Sequence, residues 1–254
     1  MKDLIIEYSK RYNNKDFILN DPIQFPHLYK EKKDIEISAF ISSWLSYGNR
    51  KQIIKTLEII HKEFALYNNS PYQFIKEKGF VKYKNNPSCL YRFYTFNDYY
   101  NLCLTLYNIY EKYSSLEKAI EEKQKENKEG NNSIVILKII ITMFKDVKGI
   151  PNNITSACKR LCMFLRWMIR NDGIVDFGLW NILEPKDLII PLDTHVHKEA
   201  LFLQLTTIKQ PSLKTALQIT ENLKTIFPSD PLLGDFALFG YGINKSATEP
   251  ATSI

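Results

Sequence analysis

Apolar residues spaced three and four apart constrain this chain more than any other feature of it. Ile37, Phe40, Ile41, Trp44 and Leu45 fall on one helical face, Gly48 and Asn49 supply a break, and Ile53, Ile54, Leu57 and Ile60 begin a second face. The same period predicts a short amphipathic helix over residues 2–12, ahead of a loop with Pro22 and Pro26, and further helices over 99–113, 155–170, 216–227 and 232–241, with a turn at 228–230. Residues 134–144 are rich in β-branched side chains, but their apolar density predicts a buried helix because packing overrides a weak propensity. The mixed-charge run 117–132 reads as a solvated helix end that closes on Gly130, Asn131 and Asn132. No sustained alternation and no internal repeat interrupts this pattern, so the expected class is all-α.

A length of 254 residues suits one large domain or two closely packed lobes, and size alone does not choose between them. The net charge of +6, with a pI near 8.9, makes nucleic acid a reasonable partner without requiring one. Every apolar stretch falls short of the roughly 20 residues that span a bilayer, and no secretory segment stands out, so a cytoplasmic protein is expected. The cysteines Cys89, Cys103, Cys158 and Cys162 lack the clustering of an iron–sulfur site. Cys158 and Cys162 share a helix face, yet no histidine or further cysteine stands near them, so no metal is expected. No phosphate-binding loop and no organic cofactor are implied.

The helix predicted over 155–170 has two faces. Ala157, Leu161, Phe164, Leu165 and Met168 suit a core, while Lys159, Met163, Arg166 and Arg170 form a partly cationic stripe. Such a stripe either contacts phosphate or only solubilises the helix while its stems cover Trp167. A glycine-containing stretch over 172–180 follows, and then Pro191 and Asp193 lead into a helix beginning at Thr194. As an N-cap, Asp193 satisfies exposed amides. The same placement also lets a carboxylate face a cleft, where it can stabilise positive charge on a sugar or orient water.

Pro191-Leu192-Asp193-Thr194-His195-Val196-His197-Lys198 resembles the aspartate motif that follows the hairpin in the helix-hairpin-helix DNA glycosylase superfamily. The run 41–51, Ile-Ser-Ser-Trp-Leu-Ser-Tyr-Gly-Asn-Arg-Lys, resembles the early helix and loop near that family's lesion pocket. The stretches 159–170 and 176–180, and the Phe236-Ala237-Leu238-Phe239-Gly240-Tyr241-Gly242 close, are most similar to a bacterial branch related to the archaeal-type 8-oxoguanine DNA glycosylases. The matches run from about Ile37 to Gly242 and are diffuse between these motifs. The resemblance implies a helix-hairpin-helix glycosylase-like bundle with a cleft between two lobes. It further implies a monomer that acts on double-stranded DNA containing a damaged base, is nucleoid-associated when bound, and needs no cofactor.

The implied activity is excision of an oxidised purine such as 8-oxoguanine, with lysine-dependent abasic-site lyase activity. A noncatalytic nucleic-acid-binding protein on the same scaffold is the alternative. Asp193 carries over as the acidic catalytic residue, in a carboxylate role. The common bifunctional pattern puts its lysine in a glycine-rich hairpin shortly before that aspartate, but here the corresponding position is near Val175. The archaeal-type branch allows a wider interval, which makes Lys159 the candidate nucleophile. Ser46, Tyr47, Asn49 and Trp180 are candidates for a flipped-base pocket, although Ser46 and Asn49 equally suit turn caps and Tyr47 and Trp180 equally suit the core. Arg50, Lys51, Arg166, Arg170, His195 and Lys198 are candidates for DNA contacts, and His197 is expected to face the surface.

Overall fold

The computed structural model describes residues 1–127 and 132–248. The described chain is an all-α helical bundle with one small hairpin, and it divides into two compact units. One comprises Met1–Leu19 with Ile154–Ile254 and the other Asn20–Asn153. In chain order the helices are α1 (Lys2–Tyr12), α2 (Lys15–Leu19), α3 (Lys32–Leu45), α4 (Arg50–Glu63), α5 (Pro71–Lys76), α6 (Phe96–Lys112), α7 (Leu116–Asn127) and α8 (Ser133–Met143). They continue as α9 (Lys159–Ile169), α10 (Thr194–Phe202), α11 (Leu213–Lys224) and α12 (Leu233–Thr248). Strands β1 (Cys89–Tyr91) and β2 (Tyr94–Thr95) pair antiparallel.

In the 20–153 unit, α3 is buried on almost every side from Asp34 to Leu45, so its polar residues must find partners within the protein. Glu36 accepts from Tyr110 Oη at 2.6 Å and from the Leu116 amide at 3.0 Å. Asp34 accepts from Ser70 Oγ and the Tyr72 amide at 2.6 and 2.8 Å. His61 Nδ1 donates to the Leu57 carbonyl, which leaves Nε2 to accept from Ser38 Oγ, both at 2.8 Å. Burial pushes this imidazole down to about 4, partly opposed by the Leu57 bond, so it remains neutral. The break between α3 and α4 falls where the sequence places it. Gly48 has φ +88°, and Asn49 caps α4 by accepting from the Gln52 amide.

In the other unit α1 lies against α12, and at Gly240 the Tyr12 ring comes close to the helix backbone. A Cβ there would stand 2.0 Å from the Tyr12 ring. Gly240 and Gly242 are therefore interior residues of a continuing helix rather than parts of a closing turn. The predicted helix over 155–170 is four residues shorter at its start, because Cys158 adopts a left-handed φ of +48° and α9 begins at Lys159. The long stretch between α9 and α10 is held by its own polar groups. The Asp172 side chain accepts from the amides of Ile174, Val175 and Asp176, while Phe177 and Trp180 donate to the Trp167 and Met168 carbonyls at 2.8 and 2.9 Å. The predicted loop at Gly130 and Asn131 lies outside the described residues.

Candidate functional site

Asp193 is extended, with φ −113° and ψ −176°, and caps α10 as its position before Thr194 implies. Its Oδ1 accepts from the amides of His195 and Val196, both at 2.9 Å. That oxygen saturates the helix start and leaves Oδ2 for another partner. Lys159, the first residue of α9, supplies it, with Nζ 3.4 Å from Oδ2. Thirty-four positions of sequence separate the two residues. Each side chain keeps about a third of its surface exposed, so the pair is held in place and open to solvent. A cation at a helix N-terminus opposes the helix dipole, and α9 has no acidic residue in its first turn to offset it. Asp193 provides that offset from another helix.

Beneath the pair lies a network of two buried arginines and four aspartates, of which Asp176 and Asp235 are buried and Asp172 and Asp230 half-buried. Arg166 donates through Nε to Asp176 at 3.2 Å and through Nη1 to Asp235 in a short bond. Arg170 donates through Nε to Asp230 at 2.8 Å and through Nη1 to Asp172 and Asp176 at 2.6 and 2.8 Å. The Phe236 ring lies 4.7 Å from the Arg166 guanidinium and 5.0 Å from that of Arg170. Burial raises Asp176 above the usual carboxylate range although Arg166 and Arg170 pull it down. Burial also pushes Asp235 up to about 6, with Arg166 and Lys159 opposing and the Asp193 carboxylate adding to the rise. Asp235 is thus within electrostatic reach of both members of the Lys159–Asp193 pair, and Arg166 holds it there.

Arg166 and Arg170 are 3% and 1% exposed, which corrects their assignment to an outward cationic stripe that contacts DNA. Their charges are taken up by carboxylates inside the unit, and Met163 beside them is buried too. His197 is also corrected: it is buried, and its Nε2 donates to the Ile208 carbonyl at 2.8 Å. Trp180 is buried with its ring edge-on to Phe164 at 5.2 Å, which matches the core-packing role rather than an open pocket wall. His195 and Lys198 are exposed on α10, close in sequence to Asp193. Asp235 and Asp230 are members of the network that the sequence reading does not single out. Their only signal was the pair of arginines spaced four apart on α9, which needed carboxylates if that face turned inward.

The remaining candidates lie in the 20–153 unit. Ser46 is buried, its hydroxyl donating to the Ser42 carbonyl at 2.6 Å, and Asn49 is occupied as the cap of α4. Tyr47 is half-buried, edge-on to Tyr91 and Tyr94 with ring centroids 5.2 Å apart in both cases. Arg50 and Lys51 are exposed in the first turn of α4. Among the described residues no group of three or more His, Cys, Asp or Glu side chains is arranged to hold a metal ion. Among the same residues no helix is long and apolar enough to cross a membrane.

An all-α protein with a half-buried lysine–aspartate pair over an arginine–aspartate network is the class that fold and site define. Residues 21–244 match the family described as "Protein of unknown function (DUF2400)", and the chain belongs to that family. No curated protein and no solved structure matches it.

Proposed function

We propose that this chain is a DNA glycosylase of the helix-hairpin-helix type that excises an oxidised purine such as 8-oxoguanine and cleaves the resulting abasic site through a lysine Schiff base. The observation that carries this reading is the 3.4 Å approach of Lys159 Nζ to Asp193 Oδ2 across 34 positions of sequence. These are the two groups such chemistry needs, and both are partly open to solvent. A lysine amine attacks only after it has shed a proton, and Asp193 is the base beside it. Attack on the deoxyribose C1′ forms a C–N bond as the glycosidic C1′–N9 bond breaks. The purine leaves with that electron pair and takes up a proton. The second amine proton passes to O4′ as the C1′–O4′ bond breaks, and this opening of the sugar ring gives the Schiff base. Asp193, fixed by its two amide bonds, passes the first lysine proton on to the departing purine and, a carboxylate again, faces the positive charge on the sugar.

Exposed His195 and Lys198 suit phosphate contacts beside this pair, and the net charge of +6 suits the DNA polyanion of the nucleoid. The test is base release from duplexes that each carry one lesion from a panel of oxidised and alkylated bases. The wild type should release an oxidised purine, and Asp193→Asn should reduce the rate by about a hundredfold or more, as loss of a positioned acid–base group does. Binding without release of any base from the panel would overturn the reading and leave a noncatalytic nucleic-acid-binding protein, since a basic surface binds DNA on its own.

A further inference from the structure

The end of α4 and the turn after it present aliphatic side chains to solvent. Ile59 is 50% and Leu66 79% exposed, while Leu57, Ile60 and Phe64 beside them are buried. Leu66 stands in the 3-10 turn Phe64–Tyr67, seven residues after Ile59, a spacing that returns a helix to the same face. Glu63 lies between them on that face, where it accepts from Tyr83 Oη and pairs with Lys82 Nζ at 3.2 Å. These bonds draw a second 3-10 turn, Gly79–Tyr83, alongside α4. Tyr67 fixes the start of that turn, since a Cβ at Gly79 would stand 2.5 Å from its ring. Phe80 and Tyr83 of the turn are buried, but Val81 is 49% exposed. Three aliphatic side chains therefore protrude from one anchored face of the 20–153 unit.

The rim of this face is cationic. Lys55 and Lys62 are exposed on α4, four residues before and three after Ile59. Lys78 and Lys82 stand on either side of Val81, with their ammonium groups over the Tyr107 and Tyr83 rings at 4.7 and 5.0 Å. Residues 50–83 carry seven lysine or arginine side chains against three glutamates, of which Glu63 is already engaged. A second copy of the chain would bring lysine onto lysine. Nucleic acid would set its phosphates against Leu66 and Val81, which offer no flat face on which a base stacks. An anionic bilayer surface satisfies both features: headgroup phosphates meet the ammonium groups, and the acyl boundary beneath them takes up protruding aliphatic tips. Tyrosine rings suit the level between the two.

We propose that this face is a peripheral docking surface for anionic phospholipid, with Ile59, Leu66 and Val81 entering the acyl boundary and the four lysines on the headgroup phosphates. The inference does not rest on the excision reading and involves neither Lys159 nor Asp193. The probe is vesicles of phosphatidylglycerol mixed with phosphatidylethanolamine, with phosphatidylcholine vesicles as the neutral control. The full chain should cosediment with the anionic vesicles in about 50 mM salt, less so in about 300 mM salt, and not with the neutral ones. Leu66→Ser combined with Val81→Ser leaves every charge in place and should weaken vesicle binding by about tenfold or more. Lys55→Gln combined with Lys62→Gln should weaken it by about tenfold or more as well. All four replaced side chains are exposed, so the melting temperatures should stay near the wild-type value. Trp44, Trp167 and Trp180 are the native tryptophans and all are buried, so Leu66→Trp adds an exposed reporter. Its emission should shift to the blue on anionic vesicles and be quenched by lipids brominated along the acyl chain.

Failure of the wild type to bind anionic vesicles at low salt overturns the inference. So does undiminished binding by the Leu66→Ser, Val81→Ser protein, which would reduce the contact to net charge. Vesicle binding by Leu66→Trp with no blue shift overturns it too, because the aliphatic tips would then stay in water. Absent vesicle binding, together with weaker duplex-DNA binding by the Lys55→Gln, Lys62→Gln protein, would reassign the face to nucleic acid.

Discussion

Replacing Arg170 with methionine should destabilise the protein severely and in a pH-dependent manner. Methionine keeps an unbranched apolar stem, so the substitution chiefly removes the charge, its hydrogen bonds and the guanidinium's place over the Phe236 ring. Three carboxylates lose their bonds to it: Asp172 at 2.6 Å, Asp176 at 2.8 Å and Asp230 at 2.8 Å. Asp176 keeps one arginine contact, through Arg166, and its side chain is fully buried. Removing one partner of a buried ion pair costs about 3–5 kcal/mol. For a chain of this size that corresponds to a melting temperature lower by roughly 6–20 °C. The sign of the pH dependence follows from the two kinds of carboxylate involved. Asp176 already binds its proton more tightly in the folded state than in the unfolded state, and losing a cation strengthens that tendency. Its penalty is therefore present at neutral pH and is relieved as the medium is acidified. Asp172 is held below the usual range: burial raises it, but Arg170 and its own amide bonds outweigh that, so the stability it contributes in the wild type is also lost in acid. Both effects shrink the difference between wild type and variant at low pH. Urea denaturation followed by circular dichroism at about pH 7.5 and about pH 3.5 reads this directly. A loss below about 1 kcal/mol at the higher pH, or an equal loss at both, would refute the account of the network.

Asp235→Asn removes a carboxylate whose folded-state value of about 6 lies above its unfolded value. The wild type should thus lose about 3 kcal/mol of relative stability as pH rises from about 4 through about 6, and the asparagine variant should not. Parallel melting-temperature curves for the two proteins would contradict this. Gly240→Ala should be destabilising by about 1–3 kcal/mol although alanine is the better helix former, because its Cβ would stand 2.0 Å from the Tyr12 ring. Thermal melting should show this loss reduced when the substitution is made on a Tyr12→Ala background, and an undiminished loss there would place the strain elsewhere.

The helices were legible where an apolar face ran for two turns or more, as in α3 and α4 with Gly48 and Asn49 between them. The cap at Asp193 was legible as well, because one aspartate before Thr194 suffices to satisfy the first amides of α10. Which way α9 faces was not legible. Arg166 and Arg170 lie on one face by their spacing of four, and an isolated helix would turn that face to water. Here it turns inward because Asp172 and Asp176 stand in the loop that follows α9, while Asp230 and Asp235 arrive from the approach to α12 and from its first turn, 60 and 69 positions from the arginines they meet, which no local pattern reveals. His197 was misjudged for the same reason, since its partner is a loop carbonyl at Ile208. The β1–β2 hairpin left no signal, because strands of three and two residues are too short to show alternation.

The most direct measurement of the Lys159–Asp193 assignment is borohydride trapping during turnover on a duplex containing 8-oxoguanine. The wild type should form a covalent protein–DNA adduct whose mass maps to Lys159, and Lys159→Gln should form none while still binding DNA. Base release by the wild type with no adduct would instead assign the attack to a water supported by Asp193, and would leave Lys159 as the partner of that carboxylate. An undiminished adduct in Lys159→Gln, mapping to another residue, would contradict the central claim outright.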